Sequence, residues 1–198
     1  MPDDSESGSP RLSRRELMER LLSGMAAGGV WPLLASTHPI HQHLKSDSML
    51  DRAASLSQAS DWTALFLNAR QNAMLIPLAE CMVPGSTTAH ANRFIDLLLS
   101  VETAANQEKF NFSLATIERV TKERFGRRLA SLTPKEGEAL LAAVSVSAAT
   151  RAHFDNLKEW ISGAYYSSEQ GMRELGWNGN YAFASYPECE RTAPRKSD

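Results

Sequence analysis

The residues of this chain best suited to metal binding, redox or nucleophilic chemistry are two cysteines, Cys81 and Cys189, and a run of three histidines, His38, His41 and His43. The cysteines lie far apart and form no C-x-x-C, so neither a zinc nor an iron–sulfur signature is present. In an oxidising compartment they would be free to pair with each other. Alternatively Cys81, on the apolar face of a helix, is a small core residue, with Cys189 free or bonded to another chain in an exposed tail; or both thiols are free. Three close histidines suit a metal ion. No second ligand group flanks them, however, and Pro39 disfavours a helix that would converge the rings, so the same residues also read as a solvated linker. His90 and His153 stand alone, and His153, at a helix start, reads as a surface residue. Glu118, Glu123, Glu136 and Glu138 fall at solvent-face spacing, with no catalytic pair indicated. There is no G-x-S-x-G, P-loop or G-x-G-x-x-G. The stretch Gly176-Trp177-Asn178-Gly179-Asn180 follows a helix rather than a strand, which excludes a Rossmann phosphate turn. The expectation is a chain with no catalytic, cofactor-binding or metal residue of its own, unable to move electrons or hydride unaided.

Composition agrees with an ordinary globular protein. Of 198 residues, 42% are hydrophobic and 22% charged, which is enough apolar surface to offset chain entropy. The balance of 21 Lys+Arg against 23 Asp+Glu lacks the basic excess of a general nucleic-acid binder, so no nucleic-acid partner is expected. No run of about 18 uncharged apolar residues is present to span a membrane.

The N-terminus reads as a targeting segment over residues 1–35. A polar stretch leads to Ser13-Arg14-Arg15-Glu16-Leu17, followed by the short, weakly apolar, Gly/Ala-rich run from Leu21 to Ala35. A basic pair ahead of a short apolar run is a signal-peptide layout. The adjacent arginines with Leu two residues on look like a twin-arginine export signal, with Arg14 and Arg15 as its determinants. That route carries folded proteins, and the weak apolar run suits it. The alternative is an amphipathic N-terminal helix with an incidental arginine pair. Residues 36–60 are polar, with poor periodicity, and read as a linker.

Residues 61–198 read as one all-α domain, a compact bundle of five to six helices with an aromatic and Gly-rich C-terminal extension. Asn68 and Gln71 form a capping-box pattern opening a helix over 69–83, with Pro77 inside it and Pro84-Gly85 stopping it. Further helices are predicted over 89–104 and over 107–125, with Gly126 as the stop. Thr133-Pro134-Lys135-Glu136 is the clearest start signal, combining a capping box with Pro at the first helical position. A fifth helix covers 151–166, and a short sixth opens at Ser167 or Ser168 and ends before Gly176. Six of the fifteen aromatic residues fall within 165–186, among them all four tyrosines, Tyr165, Tyr166, Tyr181 and Tyr186, together with Trp177. A helical core alone would not concentrate Tyr and Gly in this way. Either the tail wraps its own helices as a lid, or it presents rigid amphipathic rings to a partner.

Several blocks, in order, resemble the gluconate 2-dehydrogenase subunit 3 family. They are Leu78-Ala79-Glu80-Cys81-Met82-Val83-Pro84-Gly85, then Phe94-Ile95-Asp96, then Glu123-Arg124-Phe125-Gly126 with Leu132-Thr133-Pro134. Ala164-Tyr165-Tyr166-Ser167-Ser168-Glu169-Gln170-Gly171, Glu174 to Asn180 and Tyr186-Pro187 complete the set. The loop after Pro84 departs from the family's Pro-Gly-Ala pattern. The resemblance implies a non-catalytic small subunit of an exported dehydrogenase acting on a sugar or sugar acid. FAD would be carried by a large partner subunit, usually of the glucose-methanol-choline type, and a cytochrome c subunit would accept electrons. The small subunit would bring the export signal, escort the folded flavoprotein through the twin-arginine translocase and remain with it on the periplasmic side of the inner membrane. On this reading Tyr165, Tyr166, Trp177, Tyr181 and Tyr186 form the partner interface, and Cys189 is a candidate for a disulfide to the partner. Substrate choice would reside in the other subunit. The rival readings are a self-contained periplasmic enzyme and a stand-alone helical binding or structural protein.

Overall fold

The helix ends are set locally. In the computed structural model, which describes residues 38–57 and 59–176, the Asn68 side chain accepts from the N–H of Gln71 at 2.9 Å while the Gln71 side chain accepts from the N–H of Asn68 at 2.9 Å. Thr133 and Glu136 exchange the same pair of bonds. Gly126 closes its helix at φ 66°, a left-handed conformation that costs glycine nothing. The eight helices among the described residues are α1 (Pro39–His43), α2 (Asp47–Ser57), α3 (Ala69–Met82), α4 (Ala91–Ser100), α5 (Ala104–Phe125), α6 (Pro134–Val146), α7 (Arg151–Ser167) and α8 (Glu169–Glu174), with a 3₁₀ turn at Leu129–Ser131. No strand occurs among the described residues, and the fold is all-α. No helix there is long and apolar enough to cross a membrane.

The six helices read from the sequence are α3 to α8, with modest shifts at their ends. Helix α4 starts at Ala91 rather than 89 because His90 takes a left-handed φ of 53°. Helix α5 starts at Ala104 rather than 107 because the Thr103 side chain caps it by accepting from the N–H of Asn106.

The linker expected over 36–60 is the main correction. Its described residues form α1 and α2, and Ile40 is fully buried in the core. Pro39 does not prevent the helix. It occupies the first position, where its missing N–H is harmless. The core-facing residues Ile40, Leu44, Leu50 and Ala53 are spread thinly among polar neighbours, a stripe too sparse to show as a helical period in the sequence.

Helix α7 is the axis of the bundle. It packs against α1, α3, α4, α5, α6 and α8, and its Leu157, Trp160, Ile161, Ala164 and Tyr165 are buried. Trp160 stands edge-on to Phe110 of α5 and to His38. Gly163 allows α1 to approach, since a Cβ there would lie 2.5 Å from Ile40 Cδ1. Gly137 likewise makes room for the Cys81 sulfur, so α3 and α6 close on each other.

Helix α4 is strongly amphipathic, with Ala91, Phe94, Ile95, Leu97, Leu98 and Leu99 in the core. At its centre Asp96 is 0% exposed. Its carboxylate accepts from the N–H groups of Leu65 (2.7 Å), Phe66 (2.9 Å) and Leu67 (2.7 Å), which have no helix of their own to join. Asp96 thereby holds the segment that leads into α3. Replacing it with Ala would orphan three backbone donors and is expected to cost about 3–4 kcal/mol. Asp96→Asn, which keeps one acceptor oxygen, should cost about 2 kcal/mol. Urea unfolding of the two variants against wild type checks both values.

Candidate partner-binding corner

Two of the blocks that carry the family resemblance, 78–85 and 164–174, meet at one corner, where the loop after α3 reaches the α7–α8 turn. Glu80, on the last turn of α3, accepts from the N–H groups of Gly85 and Thr87, both at 2.8 Å. The Gly85 N–H first, with the bonds from Thr87, holds this carboxyl below its ordinary range. Gly85 has φ 92°, and a Cβ there would lie 3.0 Å from the Tyr165 hydroxyl and 2.7 Å from Gln170 Nε2. The loop therefore lies flat on α7 and α8 because its glycine has no side chain. Tyr165 donates its hydroxyl hydrogen to Glu174 Oε1 at 2.6 Å, tying α8 to α7. Burial, with this bond to a carboxylate, pushes its phenol up to about 12. Gly171 packs against the Tyr165 carbonyl and Tyr166 backbone, so the α7–α8 turn tolerates no side chain there.

The expected interface residues divide at this corner. Tyr165 is 0% exposed and works inside the chain, as the post between loop and α8. Tyr166 is half-buried, edge-on to Tyr165 and packed on the core. Trp177, Tyr181, Tyr186 and Cys189, like Arg14 and Arg15, lie outside the described residues. Cys81 makes no disulfide among the described residues, and burial, aided by the charges of Glu80 and Glu138, raises its thiol pKa. That is the environment of a packing residue rather than a nucleophile.

The histidines diverge rather than converge. His38 faces Asn156 and His41 faces Glu159, both on α7, whereas His43 pairs with Glu102 in the connection between α4 and α5. Among the described residues no group of three His, Cys, Asp or Glu is placed to hold a metal. His153 is not simply a surface residue. Its Nδ1 lies 3.2 Å from the Ser113 hydroxyl, and its ring is edge-on to Phe112.

Glu118, read as solvent-facing, is 4% exposed, and its Oε2 accepts from the N–H of Leu129 at 2.9 Å. The signal for this was present: Glu118 follows Leu114 by four residues and so shares the buried stripe of α5. A groove of about 370 Å³ opens beside it between α3 and α5, lined by Asn68, Arg70, Gln71, Glu118, Arg119 and Lys122.

Fold and corner together define an all-α domain in which the loop after one helix is clamped to a helical hairpin by a carboxylate and a buried tyrosine. A sequence model of the gluconate 2-dehydrogenase subunit 3 family matches residues 69–187, and the chain belongs to that family. Membership makes it an accessory subunit of a dehydrogenase complex. The match starts at the first residue of α3 and leaves α1 and α2 outside it. No curated protein and no solved structure matches the chain.

Glu80→Gln is expected to loosen the loop, raising amide exchange of residues 85–90 with a loss of about 1–2 kcal/mol. Because the folded carboxyl is depressed, its contribution in wild type is present above its ordinary value of 4.5 and lost as pH falls through the folded value. Exchange at Gly85 and Thr87 in wild type, after correction for intrinsic rate, should therefore rise in acid, and in the variant it should not.

Proposed function

We propose that this chain is the non-catalytic small subunit of an exported flavin-dependent dehydrogenase of the glucose-methanol-choline type, acting on a sugar or sugar acid. The family match over residues 69–187 carries the reading. The sequence Ser13-Arg14-Arg15-Glu16-Leu17 adds an export signal for folded cargo. The small subunit binds the folded large subunit, brings it through the twin-arginine translocase and stabilises it at the periplasmic face of the inner membrane. FAD and substrate specificity belong to the large subunit, and electrons leave to a cytochrome c subunit.

The docking surface in this reading is the corner described above. Tyr166 lies there half-exposed, and the chain runs on from Gly176 directly into Trp177, Tyr181 and Tyr186. Aromatic residues of this kind bring large, rigid contact area with a polar tip. Cys189, beyond them, is the candidate for a covalent bond to the partner.

The test is co-purification of the C-terminally tagged full chain from its native host, with a visible spectrum of the eluate. The expected result is a large co-eluting subunit with a flavin spectrum, recovered from the periplasmic fraction. Changing Arg14 and Arg15 to Lys should leave both subunits in the cytoplasm. A colourless, stable monomer would overturn the reading and support a stand-alone helical protein instead.

A further inference from the structure

Helix α1 is fastened to the bundle by histidines. His38 is 8% exposed and His41 5% exposed, and their rings are 6.1 Å apart. His38 Nε2 lies 3.2 Å from Asn156 Oδ1, while the Asn156 amide group donates to Ser113. That arrangement makes Nε2 of His38 the donor. Its Nδ1 accepts from the N–H of Ile40 at 3.4 Å and so caps α1. Both ring nitrogens are therefore committed to the neutral form. A proton on Nδ1 would turn the cap into two opposed N–H groups.

The surroundings reinforce this. Burial first, with the nearby charges of His41 and Lys109, holds His38 down at about 4 from an ordinary 6.5, against the opposing pull of Asn156 and Glu159. The other titratable groups facing α1 are of mixed sign. From α7 these are Glu159, 3.3 Å from His41 Nε2, with Lys158 beside it. Glu102, just beyond α4, pairs with His43 and also accepts from Asn106 of α5. His41 and His43 each face a carboxylate, whereas His38 has only an amide in contact. The contact of His41 Nε2 with Glu159 is poorly aligned for a hydrogen bond, so His41 lacks the two committed ring nitrogens of His38.

We infer that α1 is an acid-released latch: protonation of His38 undocks residues 38–46 from α7, withdrawing Ile40 from its seat against Gly163, while α3 to α8 remain folded. The undocked state takes up the proton below pH 6.5 and the docked state only near pH 4. Undocking should therefore grow about tenfold for each pH unit across that window, to about 300-fold in all. The latch directly follows the N-terminal segment and precedes α2, so its release would free the point from which that segment departs. The inference is independent of the function proposed above.

The experiment is hydrogen exchange of the full-length protein between pH 7 and pH 4.5, corrected for intrinsic exchange rate and read in peptides covering 38–46, 104–125 and 151–167. The expected result is a stepwise tenfold loss of protection confined to 38–46. His38→Gln should abolish that dependence, while His41→Gln should leave it in place. Should His38→Gln fail to fold, Asn156→Asp serves instead: a carboxylate against His38 favours the protonated ring in the docked state and should also flatten the profile. Protection of 38–46 that stays level to pH 4.5, falls only together with 151–167, persists in its pH dependence in both flattening variants, or loses that dependence in His41→Gln would overturn the inference.

Discussion

Backbone N–H groups in the connections of a helical bundle have no ladder to join, and when the connections are pressed against the core they lose water as well. Three helix-borne carboxylates answer that constraint here. Asp96 takes the N–H groups of residues 65–67, Glu80 those of Gly85 and Thr87, and Glu118 that of Leu129. Each secures a connection to a helix remote from it or to the loop that follows its own. Together they set how α3 enters, how it leaves, and how the chain turns after α5.

The aromatic corner depends on the same arrangement. With Glu80 gathering the loop and Gly85 leaving no side chain in the way, Tyr165 reaches Glu174 and fixes α8. The residues that identify the family are thus largely architectural in the described region. They define the platform from which the Tyr- and Trp-bearing C-terminal stretch departs. Interior residues thus hold the platform, and contact through Tyr166 and the residues beyond Gly176 belongs to the function proposed above.

Buried polar groups also join the N-terminal helices to the domain. The chain His38, Asn156, Ser113 and His153 runs across α1, α7 and α5. Networks of this kind specify one geometry, because any slip leaves a polar group unpaired away from water. They also make the fold responsive to protonation in a way that a purely apolar seam would not be.

Much of the helical order was legible in the sequence alone. Asn68 with Gln71, Thr133 with Glu136, and Gly126 act within a few residues of themselves, so capping chemistry placed α3, α6 and the end of α5 without knowledge of the rest. The motif blocks were equally legible, and with them the family. What escaped was everything whose partner lies far along the chain. Ile40 makes α1 a core helix only because Gly163 opens a seat for it, and Glu118 is buried only because Leu129 folds back to it. Tyr165 became an internal post because Gly85 and Glu174 meet there. Local propensity decides where a helix begins and ends; whether a polar residue faces water or a distant N–H is decided by the packing of elements against one another, and that only the tertiary structure supplies.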